Sequence, residues 1–329
     1  MNDFSVTKAA FSGYGLYFRR PALSLVLAIF GALSVMAIAL MAFKIAGPEM
    51  VEMQSLQAKQ MAGETPDPQA MLGLLGPIFQ FIFLAVVAAL GVAAVNGGAV
   101  NRAVLRPKAS RFPFIGFMGD ELRLVVVMVT IGVIMAIPSI ILAVVGQIAA
   151  VAVMIGAGGA GAMQTLSQGG RPPASMLYTI FGVYGVLGLL IFLSGARFAL
   201  ASAQTVAERG IRIFGSWGLT KGRYWKVVGA LLLSLITLIP VLCLYIGVLA
   251  GVTLATGGEL NSFSQPDYSS LAALFDPVAI TRYVFGGIFG SLAVVVTGSA
   301  TAYIYRALAE GTEAPATDDD DDEDWDDED

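Results

Sequence analysis

The residues of this chain best suited to chemistry are cations set among aromatic rings. Between Glu208 and Lys226, Phe214, Trp217, Tyr224 and Trp225 mix with Arg209, Arg212, Lys221, Arg223 and Lys226. That is the combination that meets anionic headgroups at a membrane surface. A second group lies near the N-terminus, where Phe4, Phe11, Tyr14 and Phe18 recur at spacings of one helical face beside Lys8, Arg19 and Arg20. It predicts an amphipathic helix lying at the interface, its cations on lipid phosphates. The chemistry on offer is phosphate recognition without bond making. The candidate lipid-interface residues are Arg19, Arg20, Arg111, Arg209, Arg212, Trp217, Lys221, Arg223, Trp225 and Lys226.

Bond-making chemistry is poorly supplied. Histidine is absent, which removes the usual general base and the commonest metal ligand. The single cysteine, Cys243, sits in an apolar run, where burial predicts an inert thiol. No acid lies deep inside an apolar run, so proton relays and ion sites have no evident carrier. Zinc, haem and iron–sulfur ligand sets are missing. The sequence therefore predicts no enzyme, no cofactor, no metal and no nucleic-acid partner. Gln80, Asn96, Asn101, Gln147, Ser194, Ser234, Thr237, Thr297 and Thr301 fall in or near apolar runs, as hydrogen-bonding groups between helices or as the lining of a pore.

These groups must be positioned by membrane-spanning helices. Of 329 residues 57% are hydrophobic and 13% charged, against roughly 25% charged in soluble domains; mean hydropathy is +0.77. Runs of the roughly 20 residues a span needs lie at Ala22 to Ala46, Met71 to Val95, Leu122 to Ile155, Met176 to Leu200, Val227 to Ala255 and Val278 to Tyr303. The first exceeds a signal peptide's apolar region and is read as an uncleaved span. The third and fifth must tilt, project or break, with kinks expected at Pro138 and Pro240. Fifteen of the 19 Lys and Arg fall on the side that holds the N-terminus. The positive-inside rule then places both termini and the two repeat-bearing loops in the cytoplasm.

A short pattern recurs before alternate spans: Phe11, Tyr14, Gly15, Leu16, then Phe112, Ile115, Gly116, Phe117, then Phe214, Trp217, Gly218, Leu219. The unit is an amphipathic segment plus two spans. An even number of spans keeps the copies parallel, so the expected fold is an all-α, six-helix, pseudo-threefold bundle over residues 1–312, with repeats at about 1–107, 108–208 and 209–312. Gly182, Gly185 and Gly188, and separately Gly286 and Gly290, are expected to permit close helix approach.

Residues 313–329 form an acidic tail. Eleven acids lie between Asp318 and Asp329, interrupted by Trp325, and leave 19 basic against 13 acidic residues in the body, a net +6. So dense a block of like charge predicts disorder. It is either a solvated, solubilising tail or a docking segment, for which two destinations suit: the basic face of the body, or a basic protein partner with Trp325 as docking anchor.

The stretch from Ala203 to Leu233, with VAERGIRIFGSWGLTKGRYWKVVGALLL, and the N-terminal segment ending Arg19-Arg20-Pro21 resemble the bacterial multi-pass families grouped with the membrane domain of glycerophosphoryl diester phosphodiesterases and with YciC-like inner-membrane proteins. The resemblance implies the membrane module alone, because that family's catalytic barrel uses histidine. The function expected is non-catalytic: binding anionic lipids or organising partners at the inner membrane. The alternative is a passive channel or a transporter of lipid or small solutes along the bundle axis.

Overall fold

The computed structural model describes residues 4–61, 68–109, 114–115, 119–156, 174–258 and 267–310. Among them all regular structure is helical: α1 Val6–Arg19, α2 Pro21–Met61, α3 Pro68–Leu105, α4 Gly119–Gly156, α5 Ala174–Ala196, α6 Ala201–Glu208, α7 Gly215–Thr220, α8 Tyr224–Ala255 and α9 Pro277–Glu310. Six stretches are long and apolar enough to cross a membrane, and they coincide with the six runs in the sequence. Pro138 and Pro240 lie inside α4 and α8, as expected, and Pro48 and Pro77 lie inside α2 and α3. The overrun is wider than the sequence suggests. α2 has 41 residues, about 60 Å at 1.5 Å per residue. Beyond its apolar part come Glu52, Gln54, Leu56 and Gln57, good helix formers that carry the helix on.

α1 and α2 are separated by a single residue. Arg20, at φ −117° and ψ 68°, leaves the helical region because it precedes Pro21, whose ring disfavours α geometry at the residue before it. Pro21 then suits the first position of the next helix. The Ser24 hydroxyl donates to the Tyr17 carbonyl at 2.7 Å, satisfying an acceptor that the break releases.

α9 is the centre of packing, in contact with α1, α2, α3 and α8. α1 runs antiparallel along it: Phe4 packs with Tyr303, Ile304, Ala307 and Leu308, and Tyr14 and Tyr17 with Leu292 and Val296. The Tyr14 hydroxyl donates to the Thr237 carbonyl of α8 at 2.8 Å. Phe4 is buried, whereas Phe11 and Phe18 are 50% and 74% exposed. The face that α1 buries is the small one, Ala9, Ala10 and Gly13, and a Cβ on Gly13 would overlap the backbone of Val296.

α2 crosses α9 in the same manner. Gly31 lies against Gly287, whose own Cβ would overlap the backbone at Ala32. In hydrocarbon, lipid tails are as apolar as leucine, so helices associate through close packing, and small residues set how near the backbones come. The glycines expected to do this were others. Gly182, Gly185, Gly188 and Gly290 have nothing within 4 Å of a Cβ position, and Gly286 meets only the Tyr245 hydroxyl at 3.7 Å.

The helices pair within each third, α2 with α3, α4 with α5, and α8 with α9; the second members end at Leu105, Ala196 and Glu310, and in the middle third the separate helix α6 carries the chain on to Glu208. The environments differ. Gly146 of α4 packs on Val183 and Leu187 of α5, while Phe181, Tyr184, Val186, Leu189 and Leu190 face outward. α5 is thus far more open than α9. The leading segments differ too: α1 has 14 residues and α7 has six. Of the middle segment, Phe112, Gly116 and Phe117 lie outside the described residues, as do Arg111, the acidic tail and Trp325.

Candidate functional site

The basic, aromatic connection between α5 and α8 is built on the end of α5. After Ala196 the chain turns, forms α6, and stops at Arg209, whose φ of 52° and ψ of 33° are left-handed. The chain then folds back as α7. Gly215 permits this return, because the Gln204 carboxamide occupies the space a Cβ would need. Two hydrogen bonds clasp the connection to α5: Ser216 Oγ donates to the Arg197 carbonyl at 2.9 Å, and the Tyr224 hydroxyl donates to the Leu193 carbonyl at 2.6 Å.

Arg197 is the pivot. Its guanidinium carbon lies 4.1 Å from the Tyr224 ring centre and 5.8 Å from that of Trp217, within cation–π range of both. Phe198 meets Trp217 edge-on at 5.7 Å and Phe214 at 6.3 Å. With Phe198 buried beneath, the outer rings remain open: Phe214 is 63% exposed, Trp217 49% and Trp225 71%. Arg209, Arg212, Lys221 and Lys226 are exposed and Arg223 is half-buried.

Seven of the ten predicted interface residues therefore lie in this one connection and its junction with α8, six of them exposed and Arg223 half-buried. Arg212 is already engaged, its Nε 2.8 Å from Glu208 Oε2. Glu208 also accepts from Gln204 at 2.8 Å and from the Tyr305 hydroxyl at 3.3 Å, which ties the segment to α9. Arg19 and Arg20 are elsewhere. They lie at the end of α1 opposite Phe4, and it is Phe4 that packs with Val227 and Leu219, so about 20 Å of helix separates the two groups.

A charge cluster that the sequence reading passed over joins α3 to α4. Arg102 and Glu121 are 5% and 3% exposed and approach to 2.5 Å. Arg106 pairs with Asp120, which also takes Arg123 at 3.1 Å. Arg102 Nη2 donates to the Phe114 carbonyl at 3.2 Å, and Gly98 leaves room for the Glu121 carboxylate, 3.1 Å from its Cβ position. Apart from Arg123, each charge suits its helix end: Asp120 and Glu121 in the first turn of α4, Arg102 in the last turn of α3 and Arg106 just beyond it. In the sequence these arginines read as part of the basic asymmetry between the two sides, and the acids precede the apolar run. The available signal was a basic span end followed, one loop later, by an acidic span start.

The other polar groups are divided. Ser234, Thr297 and Thr301 donate to carbonyls of their own helices, whereas the side-chain carbonyl oxygens of Asn96 and Asn101 are buried with no hydrogen-bond partner. Gln80 and Gln147 are exposed. Cys243 is exposed on α8 rather than buried, because its side of the helix faces outward. Beyond the far end of α8 a cavity of about 460 Å³ is lined by Thr253, Asp267, Asp276, Arg282 and Tyr283 among others. There the Ser269 hydroxyl and then its backbone N–H hold the Asp267 carboxyl below the usual carboxylate range.

Six helices of this length and apolarity define a multi-pass helical membrane protein. Comparison of the chain with models of known protein families, with curated proteins and with solved structures finds no match.

Proposed function

We propose that this is a non-catalytic protein of the bacterial inner membrane that binds anionic lipid headgroups, and organises partners, through the surface between Arg209 and Lys226. The observation that carries the reading is the outward display of Phe214, Trp217 and Trp225 beside Arg209, Lys221 and Lys226. Aromatic rings of this kind settle at headgroup depth, and the cations meet phosphate. The resemblance to the membrane module of the phosphodiesterase and YciC-like families agrees with a role that needs no catalytic residues. A passive conduit gains less support, since the hydroxyls of Ser234, Thr297 and Thr301 are committed to their own helices.

The lipid reading is tested by native mass spectrometry of the detergent-purified protein with phosphatidylglycerol or phosphatidylcholine added. Phosphatidylglycerol should be retained in preference, and the triple variant Lys221→Gln, Arg223→Gln, Lys226→Gln should lower its retention about tenfold. Equal retention of both lipids by the full chain and also by a variant ending at Thr317, unchanged by the three substitutions, would end this reading.

In the same proposal both termini are cytoplasmic and the three thirds are parallel repeats. The basic asymmetry of the sequence supports the orientation, and α3, α6 and α9 ending in one packed cluster, with Val104, Ala207 and Tyr305, supports a common direction. Single-cysteine variants on a Cys243→Ser background, one within residues 56–68 and one after 312, should be labelled by an impermeant maleimide from opposite sides of the membrane. Labelling of both from one side would remove the six-span orientation.

A further inference from the structure

The last turns of α9, from which the acidic tail continues in the sequence, lie beside the start of α8. Leu308, near the end of α9, belongs to the same packed cluster as Val227, and Leu219 of α7 packs against that cluster. Lys221 and Lys226 are thus two and one residues along the chain from groups that sit with the last turns of α9. From Glu310 to Asp318 are eight residues, which extended reach about 28 Å. The acidic block can therefore lie over the whole segment from Arg209 to Lys226 without strain. Its eleven carboxylates are opposite in charge to Arg209, Lys221, Arg223 and Lys226, of which Arg209, Lys221 and Lys226 are exposed. Trp325, alone among the acids, matches the open rings of Trp217 and Trp225.

We propose that Asp318–Asp329 docks on the surface formed by Arg209, Lys221, Arg223 and Lys226 of its own chain, with Trp325 against the exposed tryptophans, and thereby competes with anionic headgroups for it. The inference rests on the lipid reading for its consequence, though the docking itself does not. Tail and phosphate present the same chemistry to the same cations, so only one is accommodated at a time. Because the contact is electrostatic, it holds at about 0.01 M salt, where the Debye length is about 30 Å, and fails at about 1 M, where it is about 3 Å.

The test is lysine acylation of the detergent-purified full chain, read by peptide mass spectrometry, against a variant ending at Thr317 and a second in which the eleven acids become amides. In low salt, Lys221 and Lys226 should react at least about threefold more slowly in the full chain than in either variant. Lys44 and Lys59 should be unchanged, and the protection should vanish in high salt. Protection should also be independent of protein concentration. Equal rates in the full chain and both variants would overturn the proposal; protection that grows with concentration would overturn it in favour of a second copy. If protection is seen but the Thr317 variant shows no preference for phosphatidylglycerol, the docking stands and the lipid reading falls.

Discussion

Arg102→Ala will destabilise the protein by about 3–5 kcal/mol, because it leaves the Glu121 carboxylate buried without its cation. Glu121 is 3% exposed and its partner is Arg102 at 2.5 Å. Glu121→Ala should cost a similar amount for the converse reason. The double variant Arg102→Met, Glu121→Met should be far milder than the sum of the two, since a neutral apolar pair has no charge to desolvate. Thermal unfolding of the detergent-solubilised protein checks this, with Arg209→Ala, at an exposed cation, as control. Additive losses, or an Arg102→Ala midpoint equal to the control, would show that the cluster does not hold α3 to α4.

The second large effect is expected at two glycines. Gly13→Ala and Gly287→Ala each place a Cβ into backbone, at Val296 and Ala32 respectively. Backbone cannot rotate away as a side chain can, so α9 must part from α1 or α2. Overpacking of this kind costs about 1–3 kcal/mol and sometimes more, and here it separates the faces on which the bundle depends. Gly185→Ala and Gly290→Ala, with nothing within 4 Å, should be neutral or slightly stabilising through helix propensity. The same unfolding assay, with size-exclusion profiles, ranks the four. Equal behaviour of all four would mean that the close crossings do not carry stability.

Those four glycines illustrate where sequence reasoning stops. Gly286 and Gly290 lie four apart on one face and look like a packing motif, yet Gly287 makes the approach. Spacing along one helix shows that a small face exists. Which face meets a neighbour depends on the rotation of both helices. On α1 the spacing shows that Phe11 and Phe18 share an exposed side, but not that Ala9, Ala10 and Gly13 fit against α9. Cys243 was expected to be buried because its neighbours are apolar. In a membrane protein apolar neighbours are equally compatible with an outward face.

The span positions were decided by the sequence alone. Twenty consecutive apolar residues have one low-energy placement in a bilayer, and a helix satisfies every backbone group without a partner. Local composition likewise determined the basic, aromatic segment from Arg209 to Lys226, because cations and rings with little apolar surface around them remain outside the core. The tertiary structure alone decided which of these groups share a surface. Arg197, 4.1 Å from the Tyr224 ring, is 27 residues from it in the chain, and Arg102 and Glu121 are separated by a loop and a helix end. Such pairs form only when helices that are each stable by themselves choose partners, a choice made by a few close contacts and buried charges rather than by hydropathy.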